Sequence, residues 1–478
     1  MTNGMNFWDY EIWSFIVTLT ILFCAILIAN FIRRKVQFIQ NSLIPSAVLG
    51  GFILLFANTL FKNIFGQPMI DLKTLETLTY HCLGLGFVAL SWRHIEPADG
   101  EKSKRDIFNT ATVTVGGYLI QACVGLIITL ILFFTINAFA ASGSLLCLGY
   151  GQGPGQAFNW GMIFENQYGF TGGISFGLAI AAMGFVSACV GGVYYLKGLR
   201  KSYKYKKRLV LARRNETSRQ IEIAEEGEIA VSESMDKLTV QFGLVFMTYI
   251  IAFASMWLLY KYVLEPVGGF CMTTINPLIW GFNFLVGTAW AVLLRSVGDK
   301  LRVKGIMHRK YTNNYMLNRI SGVMFDIMVV SSIAAIDLSA FRVKSFWIPL
   351  LLLSVAGGFI TYFYVKRCCR KLFPDYTDEM FLAMYGMLTG TASTGIILLR
   401  EIDPMFDTPA SSNLVYQNLW AITLGAPIML LMGIVAKGTK MTVLVLVIAA
   451  VLFMIITLIQ RRNIRILNAS RAKEPDDK

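Results

Sequence analysis

Along most of the chain, apolar positions run almost unbroken for about 20 residues at a time, the length a helix needs to cross the roughly 30 Å hydrocarbon core of a bilayer. Such runs lie at Ile12–Ile32, Leu43–Phe61, Leu75–Trp92, Ala111–Phe139, Gly172–Leu196, Leu238–Tyr260, Pro277–Leu294, Ile320–Ala340, Phe346–Val365, Leu414–Ala436 and Met441–Ile459. They predict eleven transmembrane helices. Two glycine-rich breaks carrying hydroxyl or amide side chains interrupt the pattern, Gly149-Tyr-Gly-Gln-Gly-Pro-Gly-Gln156 and Leu388-Thr-Gly-Thr-Ala-Ser-Thr-Gly395. Bare backbone at membrane depth survives only where protein or a water-filled cavity covers it. Each break therefore predicts a re-entrant hairpin, one near 142–165 and one near 380–400.

Composition narrows the class. The chain has 478 residues, 55% hydrophobic and 15% charged, too little polar surface to cover soluble domains. With the N-terminus outside, 36 of the 43 Lys and Arg residues collect on one face of the membrane, which by the positive-inside rule is the cytoplasmic one. This predicts an inner (plasma) membrane protein in contact with lipid, its N-terminus outside and its C-terminus cytoplasmic. The formal net charge of +14 is then a topology signal. Nucleic acid is not an expected partner, because the basic residues are dispersed over loops. The first apolar run is too long for a cleaved signal peptide and is flanked by Asp9 and Glu11, so it is expected to remain as a helix. The eight cysteines show no metal-binding or disulfide spacing.

Five crossings precede the charged stretch 197–237, so the second half starts from the opposite side of the membrane and is inverted relative to the first. The predicted fold is an all-α polytopic membrane protein of inverted repeats, with two oppositely oriented re-entrant hairpins whose tips meet near the midplane. Its parts are a first repeat (1–196), a charged cytoplasmic linker (197–237), a second repeat (238–436), and an additional helix with a cytoplasmic tail (437–478). Phe164-Glu165 followed by Phe170-Thr171 parallels Arg400-Glu401 followed by Phe406-Asp407-Thr408, each pair of segments just after its hairpin. The linker carries nine basic residues from Lys197 to Arg214 and seven acidic ones from Glu216 to Asp236. A solvated connector and a basic segment resting on anionic lipid both fit that pattern.

Corresponding broken segments in two inverted halves point to a secondary transporter working by alternating access. A helix interrupted at the midplane presents an N-terminus whose free N–H groups and positive dipole end attract a carboxylate. The expected substrate residues are Gln152, Gly153, Gly155, Gln156 and Asn159 in the first hairpin, and Thr389, Gly390 and Thr391 in the second. Hydroxyls and unwound carbonyls suit sodium, which makes Ser393 and Thr394 candidates for the coupling ion. Tight helix packing is the other use of such small residues. A carboxylate at the centre of a membrane helix costs roughly 2.5–3.5 kcal/mol on insertion scales. Asp326 is thus a further cation or proton candidate, or else a buried acid with a partner, while Asp337 sits toward the end of the same run. His81 is expected to be packed and hydrogen-bonded. Arg400 fits either a second substrate carboxylate or a topology anchor. A channel is disfavoured by the inverted halves. An enzyme is disfavoured because no nucleophile elbow, phosphate-cradling loop or catalytic cluster is present, and no catalytic residue is expected.

The stretch Gly153-Pro-Gly-Gln-Ala-Phe-Asn-Trp160-Gly161, followed by Phe164-Glu-Asn-Gln-Tyr-Gly-Phe-Thr171, resembles the first hairpin signature of the bacterial sodium/glutamate symporter family. Ile44-Pro-Ser-Ala-Val-Leu-Gly-Gly51 is similar to that family's second helix. Pro154 stands where the family usually has His and Leu398 where it has a polar amide, and the charged loop and last helix look like additions. The resemblance implies a homodimeric, sodium-coupled carrier of an amino-acid or dicarboxylate anion such as glutamate. The alternative within the same architecture is a proton-coupled carrier of another organic anion.

Overall fold

The computed structural model describes residues 8–94, 100–200, 236–307, 309, 311–403 and 407–471. Most of the expected linker at 197–237 lies outside the described residues. All regular structure among them is helical. The first half holds α1 (Tyr10–Lys35), α2 (Ser46–Phe65), α3 (Leu72–Ser91), α4 (Glu101–Ile136), α5 (Pro154–Tyr168) and α6 (Gly173–Arg200). The second holds α7 (Lys237–Leu259), α8 (Asn283–Val303), α9 (Asn314–Ala334), α10 (Lys344–Leu372), α11 (Thr377–Thr389), α12 (Ala392–Arg400), α13 (Asn418–Val435) and α14 (Thr439–Arg471).

Eight of these, α1, α2, α4, α6, α7, α9, α10 and α14, are long and apolar enough to cross a membrane. The chain is a polytopic all-α membrane protein. The runs expected as straight crossings at Pro277–Leu294 and Leu414–Ala436 are instead bent, by 61° between Cys271–Gly281 and α8 and by 53° between Ala410–Tyr416 and the following helix. Each bend carries a buried amide engaged with another helix. Asn283 donates to the Tyr249 hydroxyl at 3.0 Å, and Gln417 accepts from Thr114 on α4. Helix ends follow local chemistry: Asp71 and Asn313 cap α3 and α9 by accepting from Thr74 N and Met316 N.

The helices form two packed groups, each drawn from both halves of the sequence. In one, α3 joins α7, α8 and α9 through Leu85, Val88, Val245, Ala291, Leu317 and Ile320. A Thr79–Ser331 hydroxyl pair at 3.0 Å and a Trp92-to-Thr248 hydrogen bond at 2.9 Å add polar ties. His81 belongs here too, its Nδ1 3.0 Å from the Tyr249 hydroxyl. In the other group α4 is the central post. Gln460 of α14 donates to the Thr112 carbonyl and to Tyr364 of α10. α14 is thereby tied to α4 and α10.

Candidate functional site

Two hairpins lean on α4. The first descends through a 3-10 turn (Ala140–Ser144) and a π-helical turn (Cys147–Gln152), reverses at Gly153 and returns as α5. The second is α11, a reversal at Gly390-Thr391, and α12. Glycines make both possible, because only a missing Cβ lets the backbones approach so closely. A Cβ on Gly143 would lie 2.1 Å from the Gly125 carbonyl oxygen of α4, and one on Gly395 2.3 Å from the Ala383 carbonyl oxygen across the second hairpin.

The tips meet. A Cβ built on Gly153 would stand 3.4 Å from Cγ2 of Thr391 and 3.6 Å from the Gly390 carbonyl oxygen. Gly153 itself has φ 88° and ψ −179°, a region essentially restricted to glycine. Pro154 follows at the first position of α5, where its lack of an N–H costs nothing. Each reversal leaves a second-arm helix N-terminus at the junction, with first-turn N–H groups lacking helical acceptors. Thr391 caps its own helix, accepting from Thr394 N at 3.5 Å, with the two hydroxyls 3.3 Å apart.

Around this junction lies a cluster of polar atoms without partners. Gln152 Nε2, both amide atoms of Gln156, Asn159 Oδ1, Trp160 Nε1, Asn283 Oδ1 and Gln121 Oε1 are buried and make no hydrogen bond. Roughly nine in ten or more buried polar groups in native proteins are paired, which makes these donors and acceptors candidates for contact with water or a polar ligand. On α5, Gln156, Asn159 and Trp160 share one face, being three to four residues apart, while Gln152 ends the arm before the reversal. Asn159 also donates to the Gly281 carbonyl oxygen at 2.7 Å, tying α5 to the bend before α8.

The expected residues divide as follows. Gly153, Gly390, Thr391 and Thr394 are at the tip contact, Gln152 ends the first arm just before it, and Gln156 and Asn159 lead away from it along α5. Gly155 faces packed side chain, since a Cβ there would meet Leu83 of α3 at 2.7 Å. Thr389 is buried, its hydroxyl spent on the Tyr385 carbonyl at 2.7 Å. Ser393 is exposed at the tip of α12. Asp326 is exposed on α9, in the other helix group, and not on either hairpin.

Four residues outside the expected set complete the site. Tyr150 holds the first arm by donating to the Ser354 carbonyl oxygen at 2.7 Å, beside Ser187 Oγ at 2.9 Å. Tyr385 holds the second by donating to the Ser187 carbonyl oxygen at 3.0 Å. The same α6 serine thus anchors both hairpins. A signal for this was present: Tyr150-Gly151 and Tyr385-Gly386 are the same dipeptide shortly before each tip. Gln121 and Asn283 sit in apolar runs away from the glycine breaks and carried no comparable mark.

A separate cavity of about 870 Å³ opens at the end of the bundle where α3 and α10 begin and α4 and α9 end. It is lined by Glu76, Glu165, Asp337, Ser175 and neighbouring loops, and none of the tip residues borders it. Its carboxylates serve the loops: Glu165 accepts from Ile174 N at 3.0 Å, and Asp337 from Ser339 N at 2.9 Å.

A family model described as "Sodium/glutamate symporter" matches residues 12–278, from α1 through the first hairpin to the bend before α8. The second hairpin lies beyond the matched stretch. No curated protein matches the chain.

Proposed function

The chain belongs to the sodium/glutamate symporter family, a family of transporters and not of enzymes, and from that premise we propose that it couples sodium entry to uptake of glutamate or a related small carboxylate by alternating access. The observation that carries this reading is the junction of the hairpin tips, where Gly153 abuts Thr391 and Gly390 amid buried amide atoms that lack partners. Two helix N-termini supply N–H groups and positive dipole ends for a carboxylate. Gln152, Gln156 and Asn159 supply neutral donors and acceptors for the rest of a polar solute. In this reading Thr391 contacts the substrate, the hydroxyls of Ser393 and Thr394 serve sodium, and Asp326 serves the cation or a proton from the opposing helix group.

The orientation supporting this reading has the N-terminus outside and the C-terminus in the cytoplasm of an inner-membrane protein. Residues 1–196 and 238–436 then form repeats of opposite polarity, and the hairpins enter from opposite sides. The two spatial groups, α1–α3 with α7–α9 and α4–α6 with α10–α13, each draw corresponding helices from the two repeats, and α14 joins the second from outside them. Sliding of the hairpin-bearing group against the other would expose the tips to each side in turn. Thermal stability of detergent-extracted protein tests the ligand class. Glutamate and related acidic solutes should raise the melting temperature more in sodium than in potassium chloride, and indifference to both solute and ion would overturn the reading.

A further inference from the structure

Gln460 of α14 sits in the seam where α14 meets α4 and α10. Its Nε2 donates to the Thr112 carbonyl oxygen at 3.1 Å and to the Tyr364 hydroxyl at 2.9 Å, and its Oε1 lies 3.7 Å from Cys368 Sγ. Tyr364 also meets Phe453, with ring centroids 6.0 Å apart. Tyr364 and then Cys368 thus face Phe453 and then Gln460, so α10 and α14 run side by side in the same direction. On the core side of the seam Val365, Cys369 and Leu372 of α10 and Leu467 of α14 are buried, and Asn463 donates to Asn109 of α4 at 2.8 Å.

At 3.6 residues per turn these contacts fix what the opposite flank carries. On α10 it holds Arg367 and Lys371, and on α14 Arg461 and Arg465. All four are exposed, and among the described residues none forms an ion pair. Other basic side chains are used within the protein. Lys366 lies over the rings of Tyr195 and Tyr362 at 5.6 and 5.3 Å, Arg93 donates to Asn318 at 2.9 Å, and Arg295 donates to the Ser91 carbonyl oxygen at 3.0 Å. Farther into the membrane, the same flank exposes Phe363 of α10, one turn before Arg367, and Met454 and Leu458 of α14.

We propose that this groove between α10 and α14 binds an anionic phospholipid, with its phosphate among Arg367, Lys371, Arg461 and Arg465 and its acyl chains along Phe363, Met454 and Leu458. Guanidinium forks match phosphate oxygens in geometry as well as charge, and basic pockets between membrane helices take anionic headgroups. A zwitterionic headgroup brings its own ammonium and leaves the four like charges uncompensated. The bound lipid would brace α14 against α10.

The test is the melting temperature of the purified protein in a neutral detergent, titrated with dioctanoyl phosphatidylglycerol, dioctanoyl phosphatidylcholine or inorganic phosphate. Phosphatidylglycerol alone should stabilise the wild type. Its half-maximal concentration should rise about tenfold or more in Arg461→Gln/Arg465→Gln and in Arg367→Gln/Lys371→Gln, by the relation between lost contacts and affinity. Lys300→Gln/Arg302→Gln removes two exposed charges at the end of α8 and should stay within about twofold of wild type. Arg461→Lys/Arg465→Lys keeps the charge and should recover most of the lost affinity. Equal shifts in the α8 variant and the groove variants would show diffuse surface charge and overturn the site. So would stabilisation by phosphatidylcholine or phosphate to the same extent, or a wild type indifferent to phosphatidylglycerol.

Discussion

Gln156→Met should make the ligand-free protein more stable and weaken its binding and low-concentration uptake of substrate. Gln156 is 2% exposed, and neither its Oε1 nor its Nε2 has a partner. An unpaired buried polar group costs about 1–3 kcal/mol. Methionine has similar length, needs no partner and fills irregular space well, so the free protein should gain stability of that order. The same amide is placed to pair with the substrate, and a hydrogen bond to a charged group is worth about 1.5–3 kcal/mol. Its loss corresponds to a roughly 10- to 150-fold weaker affinity. The assay is melting temperature with and without substrate, beside uptake. At a ligand concentration of about 100 Kd the wild type should gain about 2.7 kcal/mol, and a tenfold weaker variant about half of that. A variant less stable than wild type without ligand, or one with wild-type uptake, would refute the argument.

Gly153→Ala and Gly390→Ala should behave differently. The first has room at the tip but forces a side chain into a glycine-only conformation, so uptake should fall steeply while the loss of stability stays within the strain of about 1–3 kcal/mol. The second has ordinary φ but would meet Phe185 and Thr394 at 3.0 Å, so stability and uptake should fall together; identical behaviour of the pair would contradict both assignments. Cysteines introduced within residues 201–235 should react only with cytoplasmic reagents and those beside Phe270 only with external ones, and reversed labelling would remove the inverted-repeat topology. Asp337 is pushed up by burial but more strongly held down by hydrogen bonds from Ser339 and by the charges of Lys62 and Arg342, for a net pKa below the usual carboxylate range. Because its folded value is depressed, its contribution is present above the unfolded pKa and lost as pH falls through the folded one. The melting temperature of Asp337→Asn should accordingly fall less than that of wild type on acidification below about pH 4, and parallel curves would rule the cap out.

Much of this arrangement is legible in the residues because a bilayer enforces a simple code. Each of the eleven apolar runs coincides with helical structure over most of its length, since apolar stretches have few other ways to satisfy their backbone in a bilayer. Only eight helices among the described residues are straight, long and apolar enough to cross; two further runs are bent, and the Leu72–Ser91 helix falls short of that measure. The glycine breaks at Gly149–Gln156 and Leu388–Gly395 become the hairpin reversals. What the pattern hides is contact between distant segments. At the bends near Phe282 and Gln417, amides reach Tyr249 and Thr114, and no local propensity encodes a partner on another helix. Gly155 reads as a site glycine but lies against Leu83, because missing side chains serve ligand approach and helix packing alike. Gln121 is a single amide in an apolar helix, and its bonds to Thr361 and the Leu388 carbonyl appear only in the fold.

The central claim is that an inward sodium gradient drives solute accumulation through this chain. Purified protein in proteoliposomes with radiolabelled glutamate outside, and either sodium or potassium outside against potassium within, tests it directly. The account predicts transient accumulation above the equilibrium level only with the inward sodium gradient, abolished by a sodium ionophore. Uptake that merely equilibrates, proceeds equally in potassium, or follows an imposed proton gradient instead would contradict it.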